Sequence, residues 1–206
     1  MKLKKISATT EERIKDAAKK VFVQKGYSGA RMQDIANEAK INKALLHYYF
    51  RSKDQLFELI FMENVQKMMP KINFIIDSDD KLFDKIEKFV AEYLAMLSEN
   101  PFLPLFVVNE LSSHPERFFQ KIAPLANGNL KVNKFIQQMQ DEIAKGKIIP
   151  ISPVTLLMNT ISLCVFPYLG KPMIQFVFGF DELQYRMILE QRKKEVAAFI
   201  INSIKK

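Results

Sequence analysis

The stretch 41–53, Ile-Asn-Lys-Ala-Leu-Leu-His-Tyr-Tyr-Phe-Arg-Ser-Lys, concentrates side chains that bind anions. It holds an asparagine suited to capping a helix, a histidine, two tyrosines and three cations, Lys43, Arg51 and Lys53. Nothing in it does covalent chemistry unaided. Ammonium, guanidinium, imidazole and phenol groups are instead the donors that fix a protein on phosphate oxygens. Leu45, Leu46, Tyr49 and Phe50 give the same stretch an apolar side with which to dock. It has the make-up of a DNA-recognition helix.

The charge distribution agrees. Residues 1–56 carry 13 Lys and Arg against 6 Asp and Glu, whereas residues 57–206 carry 18 against 17. Nearly all of the net +8 therefore sits in the first quarter, as expected of a part that meets an anionic polymer. With 206 residues, 48% of them apolar, the chain can bury a real core as one domain or two small ones. Its one cysteine, Cys164, rules out an intrachain disulfide and suits a reducing, cytoplasmic setting. The cysteine sits in an apolar run and is expected to be a buried, inert thiol. The basic N-terminus lacks the apolar segment of a signal peptide. No charged residue occurs from Ile148 to Gly170, a length that could cross a bilayer. Pro150, Pro153 and Pro167, with several Ser, Thr and Asn residues, favour a helix buried at a subunit interface instead, and no membrane partner is expected. There is no G-x-S-x-G, P-loop or G-x-G-x-x-G, and His47 and His114 have no metal-ligand pattern beside them. Neither catalysis, metal nor cofactor is expected.

The elements that must hold 41–53 are helices. Glycine is scarce, at 6 residues, and no sustained alternating pattern appears, so the chain is expected to be all-α. The first helix should follow Thr9 or Thr10 and stop at Gly26, with Ile14, Ala17, Ala18, Val21 and Phe22 as one apolar stripe. A second should run from about Arg31 to Ala39, and a third should start after Asn42 as N-cap. Ser52 and Gln55 form a capping box for a fourth, expected to end at about Met69 before Pro70. Asp77–Asp80 should break the chain and cap a helix over about 79–98, with one or two short helices following between Pro101 and Ile122. A loop is expected at Asn127-Gly128-Asn129, then helices over about 130–144, 152–168 and 181–204, with 172–179 as a turn region. Two short helices joined by a tight turn make a helix-turn-helix.

Residues 10–57 resemble the DNA-binding domain of the tetracycline-repressor (TetR) family of bacterial transcription regulators. The resemblance rests on "RIKDAAKKVFVQKGY", Asp34-Ile35-Ala36, Ala39, Tyr48-Tyr49-Phe50, Ser52-Lys53 and Leu56-Phe57, in that order and spacing. It implies a division into a DNA-binding part, 1–53, and a ligand-binding and dimerisation part, 54–206. It also implies DNA contacts from Arg31, Gln33, Asn42, Lys43, Ala44, Leu45, His47, Tyr48 and Tyr49, with a phosphate contact from Lys53. Leu45 and Tyr49 are expected to lean toward the core. Three positions depart from the family. His47 stands where tyrosine is usual, and Arg31 where a small hydroxyl residue caps the second helix. Lys40 stands where glycine is usual in the turn, and a positive φ there would cost of order 1 kcal/mol.

By the same resemblance the last two long helices build a homodimer interface. Its expected residues are Val154, Leu157, Met158, Ile161, Val165 and Tyr168 from the first, and Leu183, Met187, Val196, Phe199 and Ile200 from the second. The Phe-rich middle suggests a pocket for a small apolar or aromatic effector, lined by some of Phe61, Phe89, Tyr93, Phe102, Phe106, Phe118 and Phe166, with Glu110 and Asn159 as polar groups. The implied function is a repressor that binds a palindromic double-stranded operator as a dimer and leaves it when an effector binds. The rival expectation is a helical small-molecule or lipid-binding module whose basic end faces a membrane.

Overall fold

The computed structural model describes residues 2–126 and 132–206, the side chains of 2–9 and 125–126 excepted. The expected loop at 127–129 and helix start at 130 lie outside the described residues. The fold is all-α: α1 (Lys2–Gly29), α2 (Met32–Glu38), α3 (Lys43–Tyr49), α4 (Lys53–Asp77), α5 (Leu82–Glu99), α6 (Leu103–Ser113), α7 (Pro115–Ala126), α8 (Val132–Ala144), α9 (Pro153–Leu169), α10 (Lys171–Phe178) and α11 (Glu182–Ile204). The one bridge of β type among the described residues joins Ile148 to Lys205 and ties the α8–α9 connection to the C-terminus.

Two apolar clusters organise these helices. The first gathers the α1 stripe Ile14, Ala17, Ala18, Val21 and Phe22 with Ile35 and Ala36 of α2, Leu46 of α3, and Leu56, Phe57, Ile60 and Phe61 of α4. It also takes Phe102, Leu103 and Phe106 from the start of α6, with Phe118 and Ile122 of α7 packed against it. The second joins α5 (Leu82, Ile86, Val90, Leu94, Leu97) to α9 (Leu156, Cys164) and α11 (Val196, Ala197, Ile200, Ile204), with Met139 of α8.

Four boundaries differ from expectation. α1 begins at Lys2, so neither Thr9 nor Thr10 is its N-cap; the kink does fall at Gly26, whose φ of 66° and ψ of 174° leave the helix. α4 continues through Pro70 to Asp77. Proline removes one ladder hydrogen bond, but Ile72 and Ile75 beyond it are buried. The last turn is also held from outside, where Lys85 Nζ donates to Ile76 O at 2.9 Å and Lys134 Nζ donates to Asp77 O. Tertiary anchoring overrides the local breaker. α5 starts at Leu82 behind Lys81, which makes no side-chain cap, because Asp80 is instead bound to Ser78 and Lys88. The 172–179 segment is the helix α10, not a turn: Pro172 sits in its first turn and Gly179, at φ 68°, closes it.

Candidate nucleic-acid interface

The helix-turn-helix is α2, the turn Ala39–Asn42, and α3. α2 is clamped on α1 by Lys25–Asp34 at 2.8 Å, Lys20–Glu38 at 3.1 Å and a bond from Arg13 Nη2 to Ala39 O at 2.7 Å. The Lys25 bond, then the N–H of Arg31, hold the Asp34 carboxyl below the usual carboxylate range. Arg31 occupies the N-cap of α2 without capping it; half of the box survives, because Asp34 Oδ2 accepts the Arg31 N–H at 3.1 Å.

The turn closes as a Schellman motif. Lys40 N–H donates to Asn37 O at 3.1 Å and Ile41 N–H to Ala36 O at 3.0 Å, the paired pattern that requires a left-handed residue between them. Lys40 supplies it at φ 54°, the one non-glycine with positive φ among the described residues. Asn42 then caps α3, accepting the Leu45 N–H at 2.7 Å.

α3 is held by Leu46 and Phe50, both buried, and by half-buried Tyr49. Lys43, Ala44, Leu45, His47 and Tyr48 are exposed. Leu45 corrects the expectation that it leans inward: it is 38% exposed and belongs to the outer face. Tyr48 is 82% exposed, its ring edge-on to Tyr49 at 5.5 Å. His47 Nδ1 lies 3.3 Å from Arg51 O. Beside α3, Arg31 and Gln33 of α2 are exposed, with the Gln33 amide donating to Asn37 at 2.9 Å. Ser52 caps α4 by accepting the Gln55 N–H at 3.1 Å, but Gln55 reaches back to the N–H of Arg51, one residue short of a full box.

Lys53 has a role its sequence position conceals. Its Nζ donates to Tyr27 O at 2.7 Å and Ala30 O at 3.1 Å and stands 4.3 Å over the Tyr27 ring, while the Tyr27 hydroxyl bonds Asp54. The ammonium thus caps the carbonyl end of α1, where the helix dipole favours a cation, and locks α1 to the start of α4. The nearby acidic residue gave the one available signal, because Tyr27, Lys53 and Asp54 form a set.

The expected interface residues fall into two groups. Val154, Leu157, Met158, Leu183, Met187 and Phe199 are exposed, and Ile161, Val165 and Tyr168 are half-buried, with the Tyr168 hydroxyl 3.1 Å from Ser98 Oγ. Val196 and Ile200 are a correction: both lie in the core of the single chain, turned inward against α5, and present nothing to a partner. The nine expected pocket residues do not line one cavity. Phe61, Phe102, Phe106 and Phe118 pack ring to ring with Phe22 and Phe57 in the first cluster. Phe89 and Tyr93 stack at 5.8 Å beside the second cluster, where burial pushes the Tyr93 phenol up to about 12. Glu110 is half-buried, whereas Asn159 and Phe166 are exposed. A cleft of about 320 Å³ lies elsewhere, between α4 and α5, lined by Lys67, Lys71, Glu92 and Glu99 together with apolar Met68, Ala95 and Met96. Burial also pushes the Cys164 thiol up to about 12, as expected of an inert core cysteine.

Among the described residues no group of His, Cys, Asp and Glu could hold a metal ion. No single helix among them is long and apolar enough to cross a membrane; α9 and α10 pass such a test only as a pair bent by 67°.

Residues 14–60 match the family described as bacterial regulatory proteins, tetR family. The chain is 25% identical over 142 residues to the HTH-type transcriptional regulator UidR of Escherichia coli (strain K12), covering 68% of this chain and 70% of that one. It is 29% identical over 141 residues to IcaR of Staphylococcus aureus (strain Newman), the HTH-type negative transcriptional regulator of the biofilm operon icaADBC, covering 66% and 68%. The crystal structure of HlyIIR, a hemolysin II transcriptional regulator, has the same fold, with a TM-score of 0.63 at 23% identity over 97% of this chain and 98% of that one. Family match, helix-turn-helix geometry and helical bundle agree: residues 14–60 carry a DNA-binding domain of the tetR-family type, set in an all-α chain with the fold of HlyIIR.

Proposed function

We propose that the protein represses transcription in the cytoplasm by binding a palindromic double-stranded operator as a homodimer, and that a small apolar or aromatic effector releases it. The observation that carries this reading is the outer face of α3: Lys43, Ala44, Leu45, His47 and Tyr48 are exposed together, while Leu46 and Phe50 fix the helix from behind. Lys43 and Gln33 are the side chains with the reach to address base edges, and Ala44 permits close approach to the groove floor. Arg31, Asn42, His47, Tyr48 and Tyr49 are assigned to phosphates and groove walls, and Lys53 to holding the frame with at most its remaining donor toward phosphate. Such a small module gains selectivity by pairing on two half-sites about 34 Å apart. The exposed apolar side chains of α9 and α11 supply the surface for that pairing, because patches of this kind are rare on monomers. Repression is argued from the likeness to IcaR, a negative transcriptional regulator.

Release rests on the shared first cluster. Residues 1–53 act as the DNA-binding part and 54–206 as the effector-binding and dimerisation part, with α4 as the lever between them. Effector binding favours a state in which the two α3 helices lose groove spacing. The packed phenylalanines of α4, α6 and α7 would open to admit an apolar ligand, which costs buried contacts and makes the effector-bound state distinct.

The test is selection of bound duplexes from a random pool, followed by titration of the winning sequence at several salt concentrations. A palindrome with affinity falling steeply as salt rises is expected, and Lys43→Ala should change which bases are preferred. Uniform affinity for all duplexes, or tighter binding to anionic vesicles than to any duplex, refutes the proposal. An effector that leaves operator affinity unchanged refutes the release step.

A further inference from the structure

α10 is an eight-residue helix in which no side chain is buried. Met173, Phe176 and Val177 are exposed at i, i+3 and i+4, and Phe178 follows them. Phe176 is 88% exposed and Phe178 65%. An isolated helix of this length is not stable in water, yet α10 is built with care at both ends. Ile174 N–H donates to Gly170 O at 2.9 Å, Phe180 N–H donates to Gln175 O at 3.1 Å, and Gly179 takes the left-handed conformation that closes the helix. Lys171 pairs with Glu182 at 2.8 Å, which sets the first turn of α10 beside the first turn of α11. The segment is therefore a held helix whose residues Met173, Phe176, Val177 and Phe178 stay exposed among the described residues, although Phe178 stacks on Phe180.

We infer that α10 is a dimerisation element that packs on a second copy of this chain and enlarges the interface formed by α9 and α11; this rests on the dimer reading above. Three observations select the second copy as the occupant. Exposed apolar residues continue on either side of α10, at Phe166 near the end of α9 and Leu183 near the start of α11. A two-fold dimer that uses α9 and α11 presents these same residues from both subunits. The charge is wrong for an anionic surface: the one cation of α10, Lys171, is already paired with Glu182, and attraction to anionic lipid requires free cations. The area also fits. A bare aromatic side chain presents about 150–250 Å², so Phe176 and Phe178 alone contribute on the order of 250–300 Å². That is about a third of the roughly 800 Å² that each partner gives to a stable interface.

The experiment uses the full chain and two variants. Phe176→Cys introduces a thiol that can be labelled selectively with a fluorophore, because Cys164 is buried and held as the thiol. Phe176→Glu places a charge on the same spot, and the exposure of Phe176 leaves the folding of each subunit untouched. Sedimentation of the wild type is measured first, then of Phe176→Glu, with iodide quenching of the label across the same concentration range. The expected result is a wild-type dimer, a label shielded from iodide as the dimer forms, and dimer dissociation constant raised about 100-fold by Phe176→Glu. A wild type that stays monomeric overturns the dimer reading and this inference together. A dimer that leaves the label quenchable and tolerates Phe176→Glu overturns the inference alone. Shielding of the label by anionic vesicles in place of protein also overturns it.

Discussion

Lys40 offers a sharp test, because its strain and its charge can be separated. Its N–H and that of Ile41 complete the paired bonds that end α2, and that geometry places residue 40 at φ 54°. The same motif ends α8, where Lys147 N–H reaches Glu142 O at 3.0 Å and the left-handed position holds Gly146 at φ 69°. Holding a side chain in this region costs about 1–2 kcal/mol relative to glycine. Glycine gives back about 0.5–1 kcal/mol through the greater freedom of the unfolded chain. Lys40→Gly should therefore stabilise the protein by about 0.5–1 kcal/mol net, or about 1–4 °C in Tm for a chain of this length. Lys40→Ala removes the same charge but keeps the strained Cβ, and should melt within about 0.5 kcal/mol of wild type. Denaturant titration of the three proteins at one pH and salt gives the comparison. If Lys40→Gly is no more stable than Lys40→Ala, the left-handed position carries no strain and the reasoning fails.

Other outcomes follow from single contacts. Lys53→Met should lower stability by about 1–2 kcal/mol even without DNA, because two carbonyls and the Tyr27 ring lose the ammonium; an unchanged melting curve would show that Lys53 serves DNA alone. His47 lies exposed on the outer face of α3, with Nδ1 3.3 Å from Arg51 O. His47→Ala should therefore weaken operator binding at fixed pH and salt without lowering stability, and unchanged affinity refutes its assignment to the DNA face. Lys85, 2% exposed, is held below the ordinary lysine pKa by burial and then by the charge of Lys134. A lysine with a depressed folded pKa weakens the fold while protonated, and that cost fades as pH rises through its folded value toward its unfolded one. Wild type should therefore gain stability relative to Lys85→Met as pH rises toward the ordinary lysine range; a constant difference in denaturant midpoint argues against it.

The recognition unit was legible because its signals are local. Asn42 precedes α3 and caps it, Ser52 precedes α4 and caps it, and the α1 stripe is spaced for one face. The positive φ at Lys40 was legible as a position, from the family glycine it replaces. What escaped was set by tertiary contacts. Pro70 looks like a stop, but buried Ile72 and Ile75 and the clamps from Lys85 and Lys134 carry the helix past it. Pro172 and Gly179 looked like a turn when they stand at the start and end of a helix. Val196 and Ile200 share a sequence pattern with Phe199, yet only Phe199 faces outward, because an apolar pattern marks burial without saying whether the cover comes from the same chain. Leu45 and Leu46 differ in the same way.

The apolar clusters do not divide where the chemistry does. The proposed boundary after residue 53 would separate the residues assigned to DNA from the rest, but the first cluster crosses it. Phe22 of α1 stands 5.6 Å from Phe102, and Phe57 of α4 stands 5.2 Å from Phe102 and 4.5 Å from Phe106. Close-packed interiors transmit displacement instead of absorbing it. Phe102 and Phe106 therefore cannot move without disturbing the surfaces on which α1 and α4 sit. Polar contacts run along the same seam, because Glu58 of α4 is bound by Arg117 and Lys121 of α7, and Lys15 of α1 holds Glu63 of α4 at 2.6 Å. At its far end α4 is fixed by Lys85 of α5 and Lys134 of α8. Under the proposed release, a helix gripped at both ends by the remainder of the chain would turn a small repacking near α6 into a rotation of α3.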